Sequence, residues 1–401
     1  MSAVDSVVTH VAAMPFPTVQ GTQAAISSMM EAQHEAGREV QLLTYAFGAG
    51  PAPSYPVVRA RDVPRIRSFR SGPSLGKLLL DLQLARRLRW TRGPVVAHHV
   101  EGALATLMAG RTLDVFVMHT ALDSELGSYV PSLPETGQRL VSHAGGALDR
   151  VLIQCASRVA AISPMLCEKF SGLTNTEIFY LPIPWSIPDS PSAELPQEMR
   201  RALAIEEGTL VVGYVGNLDR YQGLELLIAS LAKATKRRSM VLLLATASDP
   251  RAFLKEAGQE GIAIHMRIVS LAPKEIDWER RRAQIAAVMD VAVVPRRCAG
   301  GLPIKLLDAL ARSTPVIATR TACAGLPLDD VCTIIEDDAS APDALAEALV
   351  CFDRTRRGAF ANAGRSYVAS HHSSEVFLAA MDRLLDGVSV CADLRPSDQS
   401  I

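Results

Sequence analysis

The stretch that most constrains the fold is residues 291–319, which read VAVVPRRCAGGLPIKLLDALARSTPVIAT. Residues 291–294 and 315–318 are continuous apolar runs, the pattern of parallel strands that are covered on both faces. A glycine-containing turn at 298–303 separates the first run from a helix that the sequence predicts at 304–312. A strand, turn, helix and second strand in this order predict an α/β fold with a parallel sheet.

The same stretch carries the features of an anion site. Glycines allow a ligand to approach the backbone closely, and the free N–H groups at the start of a helix favour negative charge. Positive side chains flank the turn, and a carboxylate follows one helical turn after Ile304, where it can face the same pocket. These residues are Gly300, Gly301, Arg296, Arg297, Lys305 and Asp308.

Strand and helix patterns alternate through the rest of the chain, and a length of 401 residues favours two domains. Prolines cluster between Pro182 and Pro196, which marks the boundary. The predicted segments are an N-terminal domain at 1–187, a linker at 188–207, a C-terminal domain at 208–370, a last helix at 371–387 and a tail at 388–401.

Two parts of the N-terminal half predict ligand contacts. Gly21 and Thr22 lie between a predicted strand at 6–13 and a predicted helix, so their amides can approach a phosphate; a plain β–α turn is the alternative. His98, His99 and Glu101 follow the strand at 95–97, and His119 follows the strand at 115–118. Open α/β sheets place ligands at such strand ends.

A zinc site made from these three histidines and Glu101 is a weak alternative, because their spacing matches no metal motif. Packing of hydrogen-bonded loop residues is the other interpretation of His98 and His99. We therefore expect no bound metal.

The segment 59–92 is strongly basic. It contains ten lysines and arginines against Asp62 and Asp81, and residues 77–90 form an amphipathic pattern that ends in a tryptophan. A basic amphipathic helix can lie on an anionic membrane surface, although a solvated helix face is the common alternative. The near absence of aromatic residues here argues against nucleic acid.

Composition indicates a cytoplasmic protein. The net charge is −1, and the seven cysteines are odd in number and scattered without a CxxC pair, which favours reduced thiols. No apolar run reaches the roughly 18 residues of a spanning helix, and the N-terminus lacks the pattern of a signal peptide.

The whole organisation resembles the family 4 glycosyltransferases. The segments that carry this resemblance are PFPTVQGTQ, MHTALDSELGSY, VVGYVGNLDRYQGLELLIASL and the stretch at 291–319, and it extends over residues 6–386. The resemblance implies a GT-B fold, in which two doubly wound Rossmann-like domains face each other across a cleft. It also implies that the last helix crosses back onto the N-terminal domain.

The implied activity is transfer of a sugar from a nucleotide sugar, with retention of configuration and without a metal or cofactor. The C-terminal domain would bind the donor and the N-terminal domain the acceptor. By resemblance, His119 lies near the sugar and acceptor, Asp308 accepts hydrogen bonds from ribose, Gly21 offers its backbone to the donor, and the amides of Ile304 and Lys305 cap the diphosphate.

Three positions depart from the family pattern. Gly300 replaces the first acid of the E-x7-E motif, and Asn217 and Gln222 replace the arginine and lysine that usually bind the diphosphate. We therefore expect Arg296, Arg297 and Lys305 to supply the missing positive charge and to act with His119 in catalysis.

The predicted donor-binding residues are Gly21, Thr22, Gly216, Asn217, Gln222, Gly300, Gly301, Leu302, Ile304, Lys305 and Asp308. The predicted acceptor-side residues are His98, His99, Glu101 and Glu125. The sequence does not distinguish a UDP-sugar from a GDP-sugar, or a lipid-linked acceptor from a small molecule. A degenerate protein that binds a nucleotide sugar or scaffolds a partner enzyme is the first alternative function, and a GT-B-fold sugar-nucleotide epimerase is the second.

Overall fold

The computed structural model describes residues 7–18, 20–63, 66, 75–129, 133–189, 192, 194–271 and 278–386. Several residues of the sequence predictions fall outside this part of the chain, and so does the side chain of Glu125. They are Arg65, Arg67 and Arg70 of the basic segment, Cys391 and the tail at 388–401.

The N-terminal half contains a sheet of seven parallel strands. The strands are β1 (Val8–Ala12), β2 (Val40–Thr44), β3 (Val57–Arg59), β4 (Val95–His98), β5 (Leu113–Met118), β6 (Ala156–Ala161) and β7 (Ile178–Tyr180). Their order is β3-β2-β1-β4-β5-β6-β7, so the chain reverses direction across the sheet between β1 and β4. A reversal of this kind opens a crevice at the carboxyl ends of the central strands.

The C-terminal half contains six parallel strands. They are β8 (Leu210–Val215), β9 (Met240–Thr246), β10 (Met266–Ser270), β11 (Val291–Val294), β12 (Val316–Thr319) and β13 (Thr333–Ile335). Their order is β10-β9-β8-β11-β12-β13, with the same kind of reversal between β8 and β11. A 3-10 turn at Ala263–His265 leads directly into β10.

Helices cover both sheets. Those of the N-terminal half are α1 (Gly21–Glu35), α2 (Leu75–Leu88), α3 (His99–Met108), α4 (Leu122–Glu125), α5 (Glu135–Cys155) and α6 (Pro164–Ser171). The remaining helices are α7 (Leu195–Ala202), α8 (Leu224–Ala234), α9 (Arg251–Gln259), α10 (Trp278–Val288), α11 (Ile304–Ala311), α12 (Ala341–Val350), α13 (Arg357–His371) and α14 (Ser374–Leu385). The predicted α/β class with two parallel sheets is confirmed.

The proline-rich segment between the two sheets is partly helical. Helix α7 packs against α10 of the C-terminal half. Pro196 lies in its first turn, where a helix loses no hydrogen bond to a proline. Proline content therefore indicated the break between sheets but concealed a helix inside it.

The chain crosses between the two halves twice, and the crossings are bonded to each other. The Trp185 amide donates to the His372 carbonyl at 2.8 Å, and Nδ1 of the fully buried His372 lies 2.8 Å from the Ile183 carbonyl. Beyond this point α14 packs against α1 and β6 of the N-terminal half. An ion pair of 2.8 Å between Arg38 and Asp382 joins the same surfaces.

None of the helices in the described ranges combines the length and apolar character that a membrane span needs.

Candidate functional site

A cleft of about 1250 Å³ is lined by residues from both halves of the molecule. Pockets for a single drug-sized ligand usually measure about 300–1,000 Å³. This cleft therefore has room for a ligand that reaches from one sheet to the other, or for two ligands side by side.

Two helices begin at this cleft, one from each half. A Cβ placed on Gly21, the first residue of α1, would lie 3.6 Å from Cγ1 of Ile304, the first residue of α11. Pro303 precedes α11 and has no polar side chain with which to cap it. Both helix dipoles are therefore positive toward one place, which favours an anion there.

Lys305 provides positive charge beside these helix starts. Its Nζ donates to Tyr214 Oη and to Gln222 Oε1, both at 2.8 Å, and lies 4.1 Å from the centroid of the Tyr214 ring. Burial first, and then the charge of Arg296, lower the pKa of Lys305 to about 7, against the opposing effect of Asp219. Both the charged and the neutral form of Lys305 are therefore populated near neutral pH.

The backbone leaves room for this ammonium group. Gly216 has a φ of 145°, and a Cβ at this position would lie 2.8 Å from Lys305 Nζ. A side chain at 216 would displace the lysine, which explains why a glycine here is needed.

Asn217 and Gln222 both line the cleft but are bonded to each other. Gln222 Nε2 donates to Asn217 Oδ1 at 2.7 Å, and Asn217 Nδ2 donates to Asp219 Oδ2 at 2.8 Å. Tyr214 Oη donates to the Asn217 carbonyl at 2.6 Å. These neutral amides orient Lys305 and contribute no charge of their own.

Arg296 is buried and holds the glycine turn. It donates from Nε to the Cys298 carbonyl at 3.2 Å and from Nη1 to the Gly301 carbonyl at 3.1 Å. Its guanidinium carbon lies 5.2 Å from the centroid of the Tyr221 ring. Arg296 lines the cleft, so it combines a structural role in the turn with positive charge near the ligand space.

Arg297 and Gly300 are placed away from the cleft lining. Arg297 Nη2 donates to the Asp337 carbonyl at 2.9 Å, and the Gly300 amide donates to the Cys298 carbonyl at 2.9 Å. The other predicted donor-binding residues line the cleft. They are Gly21, Thr22, Gly216, Asn217, Gln222, Gly301, Leu302, Ile304, Lys305 and Asp308.

Asp308 lies on the cleft side of α11 within an ion-pair network. Its Oδ1 accepts from Arg312 Nε at 3.0 Å and lies 3.9 Å from Arg282 Nη1. Arg312 also pairs with Glu279 at 2.5 Å. The carboxylate is thus held in one orientation, with its oxygens next to the ligand space.

His119 faces these residues from the N-terminal half. It is buried, lines the cleft, and has Nε2 at 3.0 Å from His98 Nδ1. Burial and the neighbouring His99 lower its pKa to about 3. His119 is therefore a neutral imidazole at neutral pH.

The two halves touch at this histidine. A Cβ on Gly301 would lie only 1.6 Å from the His119 carbonyl oxygen, so any side chain at 301 would force the turn away from the N-terminal half. The Cys298 thiol adds a second link, because it donates to the Ser124 carbonyl at 3.0 Å. The glycine turn is thus the place where the walls of the cleft meet.

His99 and Glu101 form a pair at the start of α3. His99 Nδ1 lies 3.2 Å from Glu101 Oε2, and the His99 backbone has a φ of 65°, an uncommon value for a residue other than glycine. Burial opposes ionisation of Glu101, but the hydrogen bond and charge of His99 outweigh it and hold the pKa of Glu101 at about 2. The pair lines the cleft on its N-terminal side.

The zinc hypothesis is wrong for the described part of the chain, where no group of histidine, cysteine and acidic side chains is arranged to hold a metal. His98 does not reach the cleft lining. Its Nδ1 and the Nε2 of His119 are bonded to each other, so they are not available as ligands.

Sequence reasoning missed several residues of the site. Tyr214 and His10 are polar-tipped residues inside mainly apolar strands, and this irregularity was the available signal. Asp219, Arg282 and Arg312 carried no signal, because they are charged residues in segments where exposure is the ordinary expectation.

Residues 209–352 match the family model described as "Glycosyl transferases group 1". A stretch of 168 residues is 26% identical to an uncharacterized glycosyltransferase of Methanocaldococcus jannaschii, and it covers 40% of this chain and 42% of that relative. The matching region thus spans less than half the length of the relative.

Solved structures share the fold over nearly the full length. The sucrose-phosphate synthase of Thermosynechococcus elongatus has a TM-score of 0.75 at 18% identity, with 95% of this chain and 98% of that chain covered. HepE of Anabaena, solved with UDP and glucose, has a TM-score of 0.69 at 16% identity, with 95% and 99% covered. WaaG, a glycosyltransferase involved in lipopolysaccharide biosynthesis, has a TM-score of 0.66 at 17% identity, with 94% and 99% covered.

Proposed function

We propose, from the membership of this chain in the group 1 glycosyltransferases with a GT-B fold, that it transfers a sugar from a nucleotide sugar to an acceptor hydroxyl. The proposed reaction retains the anomeric configuration and needs no metal. A UDP-sugar is the first candidate donor, because HepE of similar fold has been solved with UDP-glucose. A GDP-sugar is the alternative.

The observation that carries this proposal is the convergence of α1, α11 and Lys305 on one point of the cleft. The leaving group of the reaction is a nucleoside diphosphate, which gains negative charge as the glycosidic bond breaks. Two helix N-termini and an ammonium group already in position would stabilise that charge in the transition state. Arg296 adds positive charge from inside the glycine turn.

The N-terminal wall is the proposed acceptor side. The pair His99 and Glu101 and the side chain of Lys77 line it, and they offer hydrogen-bonding groups for hydroxyls. His119 stands between this wall and the glycine turn, where the sugar would lie. Asp308 is proposed to accept hydrogen bonds from ribose.

The test is replacement of Lys305 by alanine, with donor affinity and turnover measured against UDP- and GDP-sugars. Loss of a hydrogen bond to a charged group costs about 1.5–3 kcal/mol, so we expect affinity or turnover to fall about 10- to 150-fold. Lys255→Ala is the matched control, since Lys255 is exposed on α9. Unchanged affinity and turnover in Lys305→Ala would contradict the proposed role of this residue.

The same assay separates the alternative functions. Gly300 in place of an acid, together with the neutral Asn217 and Gln222, is the observation that favours a degenerate nucleotide-sugar-binding or scaffold protein. Nucleotide-dependent stabilisation without hydrolysis or transfer of any donor would support that alternative. Interconversion of the donor sugar would support the epimerase instead.

We also propose that α2 contacts an anionic membrane, so that the enzyme works at the inner, cytoplasmic face on a lipid-linked acceptor. Leu78, Leu79 and Leu82 are 52%, 48% and 40% exposed, and Trp90 just beyond the helix is 81% exposed. Arg86 and Arg87 in the last turn of the helix and Arg89 just beyond it are also exposed. Apolar side chains that point outward beside arginines match the boundary of a negatively charged bilayer.

Vesicle sedimentation tests this surface. We expect binding to vesicles that contain anionic phospholipid, weaker binding to zwitterionic vesicles, and loss of binding in the triple variant Leu78→Ser, Leu79→Ser, Leu82→Ser. Leu140→Ser on α5 is the control, because Leu140 is 72% exposed but lies on a different helix. Absence of wild-type binding to either vesicle type would contradict this surface and favour a small-molecule acceptor in solution, and equal binding to both types would contradict the role of the arginines.

A further inference from the structure

A row of buried side chains leads from α1 through the N-terminal sheet to the cleft. Gln33 lies on α1, His10 on β1, and His98 at the end of β4, and His119 follows β5. Their exposed fractions are 0%, 1%, 0% and 4%. Since β1, β4 and β5 are neighbours in the sheet, the three histidines stand side by side across it.

Each member of the row is within hydrogen-bond distance of the next. Gln33 Nε2 lies 3.2 Å from His10 Nε2, and His10 Nδ1 lies 2.9 Å from His98 Nε2. His98 Nδ1 lies 3.0 Å from His119 Nε2. His10 and His98 therefore each face two neighbours with two different ring nitrogens, and His119 faces its single neighbour with Nε2.

The glutamine gives the row a direction. Gln33 Nε2 also donates to the Met29 carbonyl at 3.1 Å, which identifies this atom as the amide nitrogen, because an oxygen there would face another acceptor. Its second hydrogen is then donated to His10 Nε2. His10 must accept at that nitrogen and carry its own proton on Nδ1.

Because the histidines of the row are neutral, the position of the proton on His10 determines its position on His98 and His119. Burial lowers the pKa of His10 to about 4, and burial followed by the neighbouring histidines lowers the pKa of His98 well below its usual value. A neutral imidazole has one N–H, so His10 Nδ1 donates to His98 Nε2, and His98 Nδ1 donates to His119 Nε2. The proton of His119 is left on Nδ1.

The Nδ1 atom of His119 has no hydrogen-bond partner among the described residues, although it is buried. A buried N–H without a partner costs about 1–3 kcal/mol, and this one belongs to a side chain that lines the cleft. A ligand oxygen in the cleft would remove that cost.

We propose that Gln33, through His10 and His98, fixes the tautomer of His119 so that Nδ1–H serves as a hydrogen-bond donor to a ligand oxygen. Gln33, His10 and His98 are positioning residues, and His119 is a donor and not a base. The identity of the ligand oxygen, a hydroxyl or phosphate oxygen of the sugar donor, rests on the proposed function. The assignment of the His119 tautomer is independent of the proposed function.

Nitrogen NMR on isotope-labelled histidine tests the tautomer in the free protein, with His119→Gln used to assign the signal. We expect protonated Nδ1 and unprotonated Nε2 in the wild type, and a mixture of tautomers in Gln33→Met, which removes the amide but keeps the length of the side chain. Gln41→Met is the matched control, because Gln41 bonds Thr9 in the same sheet outside the row. A His119 protonated on Nε2, or an unchanged pattern in Gln33→Met, would overturn the proposal.

A second pair of variants tests the ligand contact. The asparagine amide nitrogen matches the position of Nδ1 along the side chain, and that of glutamine matches Nε2. We therefore expect His119→Asn to bind a UDP-sugar about 2- to 12-fold more tightly than His119→Gln, the equivalent of one net hydrogen bond. Tighter binding by His119→Gln would overturn the role of Nδ1, and no binding even by wild type would instead refute the proposed function.

Discussion

The two walls of the cleft solve the same physical problem in different ways. Polar groups at a buried site are costly unless they are paired. The C-terminal wall keeps its charges and surrounds them with hydroxyl and amide groups, as at Lys305 with Tyr214 and Gln222. The N-terminal wall keeps His10, His98 and His119 neutral and links them into a row that ends at the cleft.

The difference separates two kinds of recognition. A positive charge attracts a phosphate over several ångströms and from many directions, whereas a single N–H acts only on an acceptor that is correctly placed. We therefore expect the C-terminal wall to determine how strongly the donor binds. The N-terminal wall is expected to determine where its sugar lies.

The largest expected effect comes from separating the walls. Gly301→Ala would place a methyl group 1.6 Å from the His119 carbonyl, so the turn must move away from the N-terminal wall. Displacement of about 1 Å at a reacting site can reduce turnover about 100-fold. We expect that loss in a transfer assay, together with normal turnover in the control Gly258→Ala on α9, where an added Cβ meets no atom within 4 Å.

Persistence of wild-type turnover in Gly301→Ala would mean that the walls need not touch here during the reaction. The C-terminal wall would then position the donor without the contact between Gly301 and the His119 carbonyl.

The second prediction concerns the charge on the C-terminal wall. Because the pKa of Lys305 is lowered to about 7, the ammonium is present below that pH and is lost above it. Affinity for a UDP-sugar should therefore be highest below pH 7 and fall as pH rises, with a limiting slope of about tenfold per pH unit. Calorimetric titration across this range measures it.

Lys305→Met should bind weakly with little dependence on pH in the same range. A UDP-sugar is the appropriate ligand because the second phosphate is esterified and does not itself titrate there. A flat profile in the wild type would show that the ligand does not respond to the charge on Lys305.

A third, smaller effect is expected at Asp308. Asp308→Asn removes the carboxylate that pairs with Arg312, a residue whose side chain is only 7% exposed. We expect about tenfold weaker binding of a UDP-sugar, and a decrease of about 1–3 kcal/mol in the free energy of unfolding. Asp343→Asn, which alters an exposed ion pair with Lys233, is the control for both measurements.

If Asp308→Asn lowers the free energy of unfolding but leaves the affinity for the UDP-sugar unchanged, the role of Asp308 is limited to holding Arg312 and Arg282 in place. Unchanged stability would instead contradict the importance of its ion pair.

The smallest effect is expected from Tyr214→Phe. This change removes the hydroxyl that accepts from Lys305 and donates to the Asn217 carbonyl, but keeps the ring beneath the ammonium group. We expect a two- to fivefold decrease in donor affinity, within the usual range for one hydrogen bond. The control is Tyr55→Phe, whose hydroxyl bonds Ser27 outside the cleft. Equal affinities for all three proteins would assign the orientation of Lys305 to Gln222 alone.

The sequence predicted the sheets well because their strands are short apolar runs, and burial on both faces determines that pattern. Helices α3 and α7 were missed for different reasons. The alanine-rich α3 begins inside a pair of histidines that read as a loop, and α7 lies among prolines. Local composition favoured loops in both places, and tertiary packing overrode it.

The site was predictable only in part. The glycine turn and the start of α11 could be located from one segment, because the relevant residues are adjacent in sequence. The hydrogen-bond partners of Arg296 could not be predicted from the sequence, because its guanidinium turns back to the Cys298 and Gly301 carbonyls. The row from Gln33 to His119 joins residues 86 positions apart through strand neighbours, which no local pattern encodes.

The bonds between the two crossings of the chain bear on how the cleft can open. Had Trp185 and His372 been far apart, the two crossings would define an axis, and the halves could rotate only about that axis. Because the Trp185 amide and the His372 carbonyl are joined at 2.8 Å, the two crossings act as a single pivot. We therefore expect the direction in which the cleft opens to depend on the other contacts between the halves, such as the glycine turn against the His119 carbonyl and the ion pair between Arg38 and Asp382.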